Sequence, residues 1–313
     1  MIIVAGEALI DLAPRDGLLL PLAGGSPYNV AVGLGRLERH TSYLGGLSTD
    51  AFGDLLAARL EEDGVDLGLA PRVSEPTTLA VVHLDEQARA SYGFYIDGTA
   101  AAVLGEGGLP TRATLPEDAS VHVSLGAIGI GHEPTGRALA AFLRSAGSTR
   151  LTSLDPNIRP NVFSQVSGRA GYAQLLDDLV AELALVKVSD EDLEQLHPDA
   201  SNWHETATAW ARSGPAVVVV TLGPEGAVAL TADGREVRVP GETVEVVDTV
   251  GAGDAFTAGL LAWLDRAGIN SRDTLAEVDD AALTAALTFA RRVAAITCQR
   301  AGADPPRLGE VSG

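Results

Sequence analysis

Runs of apolar, mostly β-branched residues recur along the chain at 2–5, 41–44, 121–125, 151–155, 185–188 and 217–221. Stretches of helical period fall between them, at 27–38, 52–62, 135–145, 172–182 and 205–213. The apolar runs are continuous rather than alternating, as strands buried on both faces require. Strand and helix in turn predict an α/β fold, a mostly parallel central sheet with helices on both sides. One region breaks the rhythm. Residues 77–84 and 90–96 read as two strands with a turn at 85–89, and 18–22 is also extended. A hairpin does not belong in a strand–helix–strand series. It predicts a small separate antiparallel sheet, the usual anatomy of a lid; an edge hairpin of the main sheet is the alternative. A Gly/Pro-rich connection follows at 105–110, and the C-terminal part turns helical at 255–267 and 280–299. The whole chain, 1–313, reads as a single α/β domain with the lid inserted at about 12–22 and 75–100.

Composition narrows the classes. Apolar residues make up 46% and charged residues 20%, enough for a globular core. No apolar run approaches the ~20 residues of a membrane helix. The N-terminus is apolar but lacks a basic region, and Glu7 and Asp11 interrupt it. It does not read as a signal peptide, so the cytoplasm is the expected location. Cys298 is the single cysteine, which excludes an internal disulfide and a cysteine-based zinc site. The net charge is −20. A chain this acidic repels nucleic acid and anionic membranes, which are bound mainly through Lys and Arg. Lys187 is the only lysine. A phosphate site here is therefore expected to use arginine, backbone N–H groups or a metal.

Three clusters carry candidate chemistry. In Asp248-Thr249-Val250-Gly251-Ala252-Gly253-Asp254-Ala255-Phe256, small residues precede an aspartate where an apolar helix begins. Small residues allow a close backbone approach, and the free amides of a helix's first turn bind anions. Asp254 reads either as a helix cap or as a base acting beside a transferred phosphoryl group. In Gly24-Gly25-Ser26-Pro27-Tyr28-Asn29, Ser26 suits a helix cap and Pro27 the first helical position. Neither explains the paired glycines or a polar Asn29 in an apolar helix. An amide there offers a donor and an acceptor to hydroxyl groups. The third cluster, Asp155-Pro156-Asn157-Ile158-Arg159, follows a strand, and ligands of parallel sheets bind beyond strand C-termini. Asp11 and Glu7, Ser189 to Asp192, and Thr221 to Gly226 fall at the same edge. Each has a plainer reading: Ser189-x-x-Asp192 as a capping box, Gly223 and Gly226 as turn residues.

Several signatures are missing: the P-loop, the dinucleotide G-x-G-x-x-G, the protein-kinase motifs and the G-x-S-x-G elbow. The motifs that are present resemble those of the ribokinase-like (PfkB) carbohydrate kinases, over nearly the whole chain. Asp248–Phe256 matches that family's D-T-x-G-A-G-D-x-F, and Gly24, Gly25 and Asn29 match its Gly-Gly motif. Asp155–Arg159 and Lys187–Asp192 look most like bacterial fructokinases. The resemblance implies a sheet flanked by helices with a β lid, and an ATP-dependent sugar kinase. Asp254 would be the general base, and Gly251, Ala252 and Gly253 the anion hole. Asp11, Gly24, Gly25 and Asn29 would hold sugar hydroxyls, with Phe94 of the lid covering the sugar. Arg159 would reach the substrate or the transferring phosphate. Ser189, Thr221, Gly223, Gly226 and Gly253 would bind ATP. The family's N-x-x-E motif, which holds Mg²⁺ through water, falls on Ser189-x-x-Asp192, with a shorter acid at its end. A monovalent cation, K⁺, would sit by Asp248 and Val250 near the segment 300–303. The implied partners are ATP and a small sugar, with no nucleic acid or membrane, and the lid could pair in a homodimer. Fructose leads as substrate. The alternatives are 2-keto-3-deoxygluconate, a nucleoside, and a non-catalytic sugar-binding regulator on the same fold.

Overall fold

The computed structural model describes residues 1–311 apart from 16, 85–89, 112 and 148. In chain order the strands are β1 (Ile2–Ala5), β2 (Leu9–Arg15), β3 (Leu18–Gly24), β4 (Thr41–Leu44), β5 (Leu47–Ser48), β6 (Arg72–Val73), β7 (Thr78–Leu84), β8 (Ala90–Tyr95), β9 (Ser120–Ser124), β10 (Thr152–Asp155), β11 (Leu185–Ser189), β12 (Val217–Thr221), β13 (Gly226–Thr231) and β14 (Glu236–Pro240). The α-helices are α1 (Ser26–Arg36), α2 (Ala51–Glu62), α3 (Thr135–Ala146), α4 (Gly168–Val180), α5 (Asp190–Leu196), α6 (Trp203–Ser213), α7 (Ala252–Arg266), α8 (Arg272–Ala276), α9 (Asp280–Cys298) and α10 (Leu308–Val311).

All six strands expected from continuous apolar runs lie in one sheet, ordered β14-β13-β12-β11-β10-β9-β1-β4 among the described residues. From β12 to β4 every pairing is parallel. Burial on both faces explains the sequence pattern. Ile2 and Val4 point into the core under α1, α7 and α9, while Ile3 and Ala5 point into the core under α3 and α4. Val217 and Val219 divide from Val218 and Val220 in the same way. β13 and β14 form an antiparallel edge that the sequence pattern does not announce. α9 is long and apolar enough to cross a membrane by length and composition. Its Leu283, Ala286, Leu287, Ala290 and Val293 are buried in the core beside α7.

The second sheet is separate, as expected, rather than an edge of the first, and runs β3-β2-β7-β8. It is mixed rather than antiparallel: β2 and β7 pair in parallel, with Leu9 opposite Thr78. β2 escaped the sequence reading because Asp11 and Pro14 interrupt it, so this sheet begins at Leu9 rather than near residue 12. The expected turn at 85–89 lies outside the described residues.

Candidate active site

The site is built where α1 and α7 begin side by side. Gly33 permits this approach, since a Cβ there would fall 2.7 Å from the Ala258 side chain. Gly251 caps α7 in the left-handed region, at φ 76°, and Asp254 is the third residue of the helix rather than its cap. The Asp254 carboxylate is buried. Ser26 Oγ donates to its Oδ1 at 2.6 Å and Asn29 Nδ2 to its Oδ2 at 2.8 Å. Burial raises the pKa of Asp254 above the ordinary carboxylate value, against the pull of these two donors. A group so placed is an oriented proton acceptor.

Ser26 is therefore not a helix cap. Gly25 occupies the cap position of α1, at φ 104°, and no side chain caps that helix. A Cβ on Gly25 would lie 2.7 Å from Glu7 O, and one on Gly24 would lie 2.1 Å from Asp11 Oδ2. The paired glycines thus let the chain turn tightly against β1 and leave room for the Asp11 carboxylate. Burial raises Asp11 to a pKa of about 6; Arg159 opposes this and Asp254 adds to it. The three charges share one region. Glu7 accepts from Ala127 N at 3.0 Å and Ile128 N at 2.6 Å, fixing the loop after β9 beside the glycine turn.

Arg159 follows β10 on a turn in which Asn157 has a positive φ of 41°. Its Nη1 donates to Ile158 O at 3.0 Å. A cavity of about 600 Å³ opens beside β8, lined by Tyr92, Phe94, Ile96, His132, Arg137 and Asn161 among others. Phe94 stacks on Tyr92 at 5.9 Å and also packs on the buried cluster of Ile96 and Ala127. Tyr92 feels the charges of Asp11 and Arg159; with burial leading, its phenol rises above the ordinary value.

The expected nucleotide residues line up at the next strand ends. Ser189 and Thr221 are register partners at the C-termini of β11 and β12. Gly223 is exposed at φ 51° in the turn that follows. Gly226 has a structural reason of its own: it opens β13, and a Cβ there would fall 2.1 Å from Val239 O. Ser189 does cap α5, its Oγ accepting from Asp192 N at 3.0 Å. Asp192 does not complete a capping box; its Oδ1 accepts instead from Ile158 N at 3.0 Å. Among the described residues no group of three or more His, Cys, Asp or Glu is placed to hold a metal. A single buried carboxylate fits a Mg²⁺ that arrives on ATP and is touched through water. Asp248 ties its loop to the C-terminal segment, Oδ1 accepting from Val250 N at 3.0 Å and Oδ2 from Gly302 N at 2.8 Å.

Two residues enter the site unannounced. Ser26 reads as a cap in sequence because its true partner is 228 residues away. Lys187, singled out in the sequence only as the lone lysine, is buried at the foot of α7 and bonds Asp155 Oδ2 at 3.0 Å. Its signal was a lone charge inside an apolar run.

Residues 21–308 match the pfkB family carbohydrate kinase. The chain belongs to that family. The fructokinase of Rhizobium leguminosarum bv. trifolii is 38% identical to this PfkB kinase over 291 residues, 90% of this chain and 85% of that protein. Two solved structures share the kinase fold. Fructokinase from Xylella fastidiosa with bound ATP superposes with a TM-score of 0.87 at 28% identity, covering 99% of this chain and 96% of that one. Fructokinase from Vibrio cholerae O395, bound to fructose, ADP and calcium ion, gives 0.81 at 27% identity, covering 96% and 94%. The expected ribokinase-like fold is therefore the observed one, and the chain is an ATP-dependent sugar kinase.

Proposed function

We propose that this kinase transfers the γ-phosphoryl group of ATP to a hydroxyl of fructose. The observation that carries the chemistry is Asp254, held by Ser26 and Asn29 at the start of α7. Asp254 takes the hydroxyl proton as the sugar oxygen attacks phosphorus and ADP leaves. The Gly253 amide in the first turn of α7 faces the charge that develops, with the helix dipole behind it, while the Ala252 N–H closes the preceding turn on Thr249 O at 3.2 Å. Arg159 adds positive charge to the transferring group. Asp11 and the Gly24-Gly25 turn hold hydroxyls, and the small sheet acts as a lid that excludes water through Phe94. Ser189, Thr221 and Gly223 flank the nucleotide groove. Bound Mg²⁺ would neutralise the ATP phosphates, with Asp192 in reach through water.

Fructose rests on the fructokinase relatives and on the charges around the cavity. A keto acid such as 2-keto-3-deoxygluconate needs a cationic clamp for its carboxylate. Arg159 is a single cation already assigned to the transferring group, and Arg137 is paired with Glu133 at 2.9 Å. The same reading takes 1–313 as one kinase domain, K⁺ at the Asp248–Val250 loop and the cytoplasm as its location. It also takes a homodimer through the lid, whose edge strand β3 exposes Leu18, Leu19 and Leu22. The test is a panel of sugars, sugar acids and nucleosides with Mg-ATP, following ADP. kcat/KM for fructose should exceed that for 2-keto-3-deoxygluconate and for ribose by about tenfold or more. Equal turnover of the keto acid would overturn fructose and leave the kinase standing.

A further inference from the structure

The chain's one lysine is only 5% exposed, although lysine is almost never buried without a specific partner. Lys187 lies on β11, and its Nζ donates to Asp155 Oδ2, 3.0 Å away on the neighbouring β10. Asp155 is itself 1% exposed. The pair is tied to α7 from below. Thr257 Oγ1 lies 3.2 Å from the same Asp155 oxygen and 3.1 Å from Gly253 O, and its proton serves one or the other. A Cβ on Gly253 would fall 3.3 Å from Lys187 Nζ. The ammonium therefore rests against the turn whose amides face the phosphoryl group. Burial works against its charge, but Asp155, with Asp192 and Asp254, outweighs burial and holds its pKa above the ordinary value.

Stability alone gives no reason for this arrangement. Taking two charges out of water is costly, and apolar replacements of buried ion pairs are often as stable or more so. A fixed positive charge under an anion site has a different use. It is preorganised where negative charge gathers during transfer, in a region of low dielectric.

We propose that Lys187 is a positioning residue for phosphoryl transfer: anchored by Asp155 and Thr257, it holds the first turn of α7 and places a permanent positive charge beneath the Gly253 amide. It acts through that turn and through Asp254, without touching the sugar. The proposal rests on the reading of the α7 N-terminus as the phosphoryl site.

The test compares wild type with Lys187→Met and with the double variant Asp155→Asn/Lys187→Met. The single change strands the Asp155 charge and should lower Tm. The double change removes both charges, keeps an acceptor for Thr257 and should restore Tm. In the double variant kcat with Mg-ATP and fructose should remain at least about a hundredfold below wild type, with the fructose KM within about threefold. A merely structural pair would recover kcat together with Tm. Recovery to within about threefold of the wild-type kcat overturns the proposal. So does failure of the double variant to fold, since that makes the pair a requirement of the fold. Wild type run against the whole sugar panel separates the two readings. No turnover of any sugar strikes the kinase reading and this one with it, whereas an active wild type beside an active double variant strikes only the role of Lys187.

Discussion

Chemistry at this site depends on single atoms. Asp254 has one donor on each carboxylate oxygen, Ser26 on Oδ1 and Asn29 on Oδ2, so it has little rotational freedom. Its raised pKa, due first to burial, brings it nearer to a useful base, and kcat should fall as pH drops through that raised value. Asp254→Asn keeps the size and the partners, because the Ser26 hydroxyl can turn and accept. It removes the capacity to take a proton. kcat should fall by ~10²–10⁴ or more, while sugar affinity measured by calorimetry stays close to wild type. Retention of more than about half of the wild-type kcat would remove Asp254 from the role of base. Of these atoms, the sequence reveals Asp254 and its glycines, since a helix starting on small residues is a local pattern. It cannot reveal Ser26 as a partner of Asp254, because nothing local links two residues that far apart.

At the scale of elements, the first turn of α7 and the strands behind it decide what reaches the phosphate. Gly253 has ordinary helical geometry, so its lack of a side chain is about space, not backbone strain. Among the described residues outside its own helix turn, the heavy atom near a Cβ there is Lys187 Nζ. Gly253→Val should displace that ammonium and crowd the amides, abolishing turnover with the fold intact by circular dichroism. A stably folded variant with unchanged activity would show that this turn does not cradle the phosphate. Strands buried on both faces were legible because their apolar runs are unbroken, as in Val217–Thr221. β14 was not, since it alternates exposed and buried residues over five positions after a tight turn. β13 begins at Gly226 itself, so this glycine also has a structural reason, the tight entry into a strand. Lys187 shows the same limit from the other side. Its strand was found, yet its place under α7 depends on β10 and β11 being neighbours, which only the assembled sheet supplies.

Across the whole molecule, Glu7 joins the end of β1 to the loop after β9, and its ionisation is linked to global stability. It is 3% exposed, and burial raises its pKa to about 7, against the two amides of Ala127 and Ile128 and the charge of Arg159. The ordinary value is 4.5. With the folded value above the unfolded one, the protonated form favours folding. That contribution is complete below about pH 4.5, falls as pH rises, and is gone above about pH 7. Glu7→Gln cannot titrate, and the mismatch of its amide nitrogen with a backbone N–H is a penalty independent of pH. Asp11 and Asp254, whose values are also raised, are present in both proteins and largely cancel in the comparison. Unfolding free energies from urea titrations at pH 5 and pH 8 should therefore show wild type losing ground to the variant as pH rises. A gap that instead grows in favour of wild type would mean that the two amides outweigh burial. Glu7 would then be held as a carboxylate throughout.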